Sequence, residues 1–132
     1  MTRATLDANV VSALMRDPTG AIARRIEAQT EAVSVSIIVA AELRYGAAKK
    51  VSERLTASLD RVLGGLEIEP VSAPVDVVYG HLRARLESLG QPMDANDLLI
   101  AAHALTLGRV LITDDRAFAR VPGLRVENWL GE

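Results

Sequence analysis

Four carboxylates stand where a folded chain would gather them: Asp7, Glu42, Asp97 and Asp115. Each lies within or beside an apolar segment that has to pack. Gathered carboxylates repel. Two charges about 4 Å apart cost on the order of 4 kcal/mol at an effective dielectric near 20. A whole domain is stable by only roughly 5–15 kcal/mol, so a cation or a proton has to relieve the repulsion. A divalent ion does so, and with it the site gains activated water and charge stabilisation at a phosphate, the equipment of a metal-dependent nuclease. The chain has no cysteine and two histidines, His81 and His103. Thiolate zinc sites, cysteine nucleophiles and His-rich metal sites are thereby excluded. Any ion has to be hard and oxygen-bound, meaning Mg²⁺ or Mn²⁺.

Each acid also has a purely structural reading. Asp94 and Asp97 look like a helix start, with Asp94 as N-cap and Asp97 in the first turn, where the helix dipole favours negative charge. Asp97 can serve both roles. Asp7-Ala8-Asn9 can be a strand-to-helix turn. Glu42 can be a solvated helix residue, and Asp114-Asp115 a surface turn capping a short helix at Arg116-Ala117-Phe118. Other polar candidates are poorer. Ser34 and Ser36 lack a plausible His–acid pair, and His103 lies among alanines as a packed or surface histidine. Arg24-Arg25 and Lys49-Lys50 read as solvated faces.

The elements that must position these acids follow from hydrophobic spacing. Ala4-Thr5-Leu6 is a short apolar run ending at Asp7. Asn9 to Arg16 has helical spacing, Asp17-Pro18-Thr19-Gly20 is a turn, and Ala21 to Gln29 is a second helix. Val33-Ser34-Val35-Ser36 alternates as a strand does, and Ser36 can cap the helix that carries Glu42. A helix from Ser52 to Leu63 closes at Gly64-Gly65. Leu66 to Val71 alternates again, and Pro74 opens a helix running to Leu89, stopped by Gly90. Asp94 to Leu107 is the clearest helix, with Leu98, Leu99, Ala101, Ala102 and Leu105 on its apolar face. Val110-Leu111-Ile112-Thr113 is a buried strand, and Leu124 to Trp129 a last one. Strands alternating with helices imply a parallel sheet covered on both faces. In such sheets, sites lie beyond the carboxyl ends of the strands. Asp7 and Asp115 both follow apolar strands.

The bulk numbers fit one domain spanning 1–132: 132 residues, 49% hydrophobic and 3% aromatic, so the expected core is Ala, Leu, Val and Ile. There is no repeat, linker or low-complexity segment. The first residues carry no apolar signal region and no apolar run is long enough to span a membrane, so a cytoplasmic protein is expected. The formal net charge is −2, and setting the four carboxylates aside turns it into +2. Charge therefore neither supports nor excludes RNA as a partner.

In order along the chain, Leu6-Asp7-Ala8-Asn9, Ala41-Glu42-Leu43-Arg44-Tyr45-Gly46, Asn96-Asp97-Leu98-Leu99-Ile100-Ala101-Ala102-His103-Ala104 and Thr113-Asp114-Asp115-Arg116-Ala117-Phe118 with Val121-Pro122-Gly123-Leu124 resemble the motifs of PIN-domain proteins. Within that family the chain resembles the VapC toxins of bacterial toxin–antitoxin pairs. The resemblance spans almost the whole chain. It implies a three-layer α/β/α sandwich with a central, mainly parallel sheet. It implies Asp7 and Asp97 as principal metal ligands, Glu42 and Asp115 completing the acidic site, and Thr113 and Asn9 orienting the acids. It further implies cleavage of RNA, often tRNA or ribosomal RNA, with Mg²⁺ or Mn²⁺, inhibition by a cognate antitoxin, and dimerisation. Ala8 departs from the usual Thr or Ser. Asp114 and Asp115 compete for the fourth position; Asp115 fits the spacing from Thr113. Asp94 is an extra acid that could tune metal affinity.

Three rivals are poorer. A phosphorylated receiver needs an Asp ending a central strand and a Lys ending a later one, but Leu66 to Val71 ends in Pro70-Val71 and the only lysines are Lys49 and Lys50. A haloacid-dehalogenase-like phosphatase wants an Asp where Asn9 stands. The third, a catalytically inactive PIN-type module binding RNA or protein, would not need all four acids.

Overall fold

The computed structural model describes residues 3–131. Met1, Thr2 and Glu132, which belong to the expected span, lie outside the described residues. The order is β1 (Ala4–Leu6), α1 (Ala8–Arg16), α2 (Ala21–Glu27), β2 (Ser34–Ser36), α3 (Ile37–Lys50), α4 (Glu53–Gly64), β3 (Glu67–Glu69), α5 (Val75–Ser88), α6 (Ala95–Leu107), β4 (Val110–Ile112), a 3₁₀ turn (Arg116–Arg120) and β5 (Val126–Glu127). The sheet order is β3-β2-β1-β4-β5, with every neighbouring pair parallel. The chain thus winds outward from β1 to β3, crosses back beneath α5 and α6, and resumes on the other side of β1. Parallel neighbours of this kind are joined through helices, which pack over the sheet. Every position of β1, β2 and β4 is accordingly buried.

Capping residues set the helix starts. The Ser36 side chain accepts from the Ile38 amide, Ser52 from Leu55 and Asp94 from Asn96. Gly108 ends α6 in the left-handed conformation, where a Cβ would be penalised. Leu6, Val35, Leu111 and Ile112 on the strands meet Val10, Val11, Val39, Leu86 and Ala101 from the helices in one buried cluster. The aliphatic core is as expected, yet the scarce aromatics also join it: Phe118 is fully enclosed and Trp129 nearly so.

β2 and β4 are each one residue shorter than their sequence pattern, lacking Val33 and Thr113, and the two edge strands fall further short. The expected Leu66–Val71 pairs only over Glu67–Glu69, because β3 is an edge strand and Pro70 has no N–H to continue the ladder. The expected Leu124–Trp129 pairs only over Val126–Glu127, at the opposite edge. On α6, Ile100 and Ala104 are more deeply buried than the expected Leu99 and Leu105. Ser34 and Ser36 alternate with valines but are no solvent face; both are buried. The Ser36 hydroxyl also meets His103 Nδ1 at 2.8 Å, and the Ser34 hydroxyl reaches the Ala4 carbonyl at 3.4 Å.

Candidate active site

Strand order reverses between β1 and β4, and at such a switch point the loops beyond the strand ends part to leave a crevice. Asp7 immediately follows β1 there, and Thr113, Asp114 and Asp115 follow β4. Asp7 is only 8% exposed. Its Oδ2 accepts from the Thr113 hydroxyl at 2.8 Å and its Oδ1 from the Ala8 amide at 2.9 Å. The Asp115 amide in turn donates to the Thr113 hydroxyl oxygen at 3.1 Å, which aims that hydroxyl at Asp7. Each Asp7 oxygen keeps a lone pair free, because a carboxylate oxygen can accept twice.

The other acids arrive from helices. Asp97 stands in the first turn of α6 behind its cap, Asp94. Asp115 is exposed and caps the 3₁₀ turn through the Ala117 amide at 2.9 Å. Glu42 is half-buried on α3. Their mutual influence is visible in proton affinity. Burial, then the charges of Asp7, Asp115 and Asp94, pushes the Asp97 carboxyl up to about 6. Burial, then Asp7, Asp97 and Asp94, raises Glu42. Asp7 is raised chiefly by burial, opposed by its bonds from Thr113 and Ala8, and raised further by Asp115 and Asp114. Asp7 thus opposes the ionisation of both Asp97 and Glu42, and Asp97 that of Glu42.

The structure separates the two adjacent acids. Asp115 acts on both Asp7 and Asp97, whereas Asp114 acts on Asp7 and takes the side-chain amide of Asn9. Asn9 thus holds Asp114 and none of the four expected site acids. Asp94, expected chiefly as a cap, caps α6 and also bears electrostatically on Asp97 and Glu42. A sequence clue existed in its spacing of three from Asp97, one helical turn. His103 is packed, as expected, and burial lowers its proton affinity.

Among the described residues, no group of three acids is gathered tightly enough to grip one ion as it stands. The donor set still suits Mg²⁺, which is commonly held by one or two carboxylates with water and substrate phosphate oxygens completing its shell.

A doubly wound parallel sheet, with acids following β1 and β4 at its switch point and others bearing on them from α3 and α6, defines the class. Comparison of sequences agrees: the PIN domain family profile matches residues 4–124, and the chain belongs to that family. It is 42% identical to ribonuclease VapC2 of Rickettsia felis over 104 residues, 77% of this chain and 78% of that protein. It is 32% identical to the tRNA(fMet)-specific endonuclease VapC of Salmonella typhimurium over 131 residues, 98% of this chain and 99% of that protein. Among solved structures, it matches a chain of VapBC2 from Rickettsia felis bound to a promoter DNA fragment with a TM-score of 0.91 at 36% identity, covering 97% of this chain and 99% of that one. DNA-bound VapBC from Salmonella typhimurium gives 0.90 at 32%, covering 98% and 99%.

Proposed function

We propose that this chain is a metal-dependent endoribonuclease of the VapC type that cleaves RNA, with tRNA or ribosomal RNA as substrate, and is held inactive by a cognate antitoxin. The observation that carries the reading is the acid set around Asp7 at the end of β1: its charge bears on both Glu42 and Asp97, and all three hold a proton more tightly than usual. Relatives named as ribonucleases, and similar folds solved as toxin–antitoxin complexes, support it. Mg²⁺ or Mn²⁺, held by Asp7 and Asp97, would supply activated water and charge stabilisation at the scissile phosphate. Thr113 fixes the orientation of Asp7, and the Asp115 amide fixes Thr113. Glu42 and Asp115 complete the acid set. Glu42, whose proton affinity is raised by burial and by the charges of Asp7, Asp97 and Asp94, would accept the proton leaving the attacking water.

In the same reading the chain is one domain, since one sheet and one buried cluster run through it, and it works as a homodimer in the cytoplasm. No helix among the described residues is long and apolar enough to cross a membrane. Inducing the chain in a bacterial host should arrest growth and yield RNA fragments with discrete ends. Asp97→Asn should abolish both. Unaffected growth in cells holding abundant folded protein would count against the proposal.

A further inference from the structure

A cleft of about 630 Å³ opens between α1, α3 and α4, and Glu42 stands on its wall. Arg16 from the end of α1, Lys50 from the end of α3 and Arg54 from the start of α4 also line it. All three cations are exposed, and among the described residues none is engaged by a carboxylate, a carbonyl or a ring. Many of the other cations are engaged. Arg3 pairs with Glu67, Arg44 with Asp60, Arg83 with Glu87 and Arg109 with Glu69. The hydroxyls of Ser12 and Ser58, on the same walls, are likewise uncommitted. The cleft thus concentrates free positive charge and free hydrogen-bonding groups in a chain whose net charge is −2.

We infer that this cleft is a phosphate track, which seats the RNA backbone on one side of the scissile bond through Arg16, Lys50 and Arg54. The inference rests on the nuclease reading above, and adds where the substrate lies. Lys50 is two helical turns along α3 from Glu42, about 12 Å at the helical rise, so an RNA strand entering at the acids passes the cations within a few nucleotides. Cations at that distance contact phosphates without touching the reacting atoms. They contribute to binding of substrate and transition state alike, and their loss should raise KM and leave kcat nearly unchanged. Ser12 and Ser58 can add bonds to phosphate or ribose oxygens.

The test measures single-stranded RNA binding to the full-length protein carrying Asp97→Asn, with and without Arg16→Ala, Lys50→Ala and Arg54→Ala together, across a salt series. Loss of three phosphate contacts should flatten the log–log salt slope by about 2, at roughly 0.7 per contact, and weaken binding at least about tenfold near 0.15 M salt. Arg85→Ala, on α5 outside the cleft, should leave the slope unchanged. In the otherwise active chain, the triple variant should raise KM for RNA with kcat held. Single Lys50→Ala, with about a third of the effect, guards against a misfolded triple variant. An unchanged salt slope in a folded triple variant that still cleaves RNA would overturn the inference and spare the nuclease reading. So would loss of inhibition by a protein partner with RNA affinity unchanged, since the cleft would then seat protein. Absence of any RNA cleavage by the unmodified chain would instead sink the nuclease reading.

Discussion

At the residue scale, burial and neighbouring charge set the proton affinity of Asp97. Asp97 binds its proton more tightly folded, at about 6, than its ordinary value of 3.8. Folding therefore gains from protonated Asp97 at low pH, and that gain is lost as pH rises from about 4 through about 6. Asp97→Asn removes the charge at every pH. In metal-free buffer its melting temperature should match that of the unsubstituted chain near pH 4 and exceed it above pH 6.5, followed by calorimetry. If Asp97 were only a dipole partner at the start of α6, the substitution would instead destabilise by about 0.3–1 kcal/mol. The two acids after β4 should also part company. Asp115→Asn should lower single-turnover cleavage by on the order of a hundredfold or more, because it acts on both Asp7 and Asp97. Asp114→Asn, tied to Asn9, should change it only a few-fold. The reverse ranking would shift the fourth acid by one residue.

At the element scale, the helices that deliver acids are tied to the sheet by few polar bonds. Ser36 ends β2, caps α3 and meets His103 of α6, so one hydroxyl joins the helix bearing Glu42 to the helix bearing Asp97. Ser36→Ala should cost about 1–2 kcal/mol in urea unfolding, the worth of a lost cap with a buried imidazole left short of a partner. Val51 presents the opposite case. It ends α3 with φ of 49° and is 88% exposed. A β-branched side chain is penalised there and packs against little, so Val51→Gly should stabilise by about 1 kcal/mol. Much of this layer was legible from the sequence. Glycines and prolines punctuate the elements, and the cap residues Ser36, Ser52 and Asp94 stand where the periodicity begins. The strand ends were not. Alternation in Leu66–Val71 and Leu124–Trp129 outlasts the pairing, because hydrogen bonding at a sheet edge depends on a neighbour that the local pattern does not encode.

At the scale of the whole molecule, the sequence showed the acids in order but not the company they keep. Asp7 and Thr113 are 106 residues apart, His103 and Ser36 are 67, and Arg109 reaches Glu69 across 40. Those contacts follow from topology: β4 returns to the far side of β1, which sets its C-terminal end beside Asp7. The cleft cations are hidden for the same reason. Lys50 reads as half of a solvated lysine pair, and Arg16 and Arg54 become its neighbours only when α1 and α4 pack together. The proposed chemistry has these carboxylates cleaving RNA through a divalent ion. Its most direct test is single-turnover cleavage of total tRNA by the purified chain, titrated with Mg²⁺ and repeated in excess EDTA and with Asp97→Asn. Cleavage should show saturable Mg²⁺ dependence, vanish in EDTA, and fall by roughly a hundredfold or more in the variant at saturating Mg²⁺. Cleavage undiminished by EDTA, in protein free of contaminating nuclease, would contradict it.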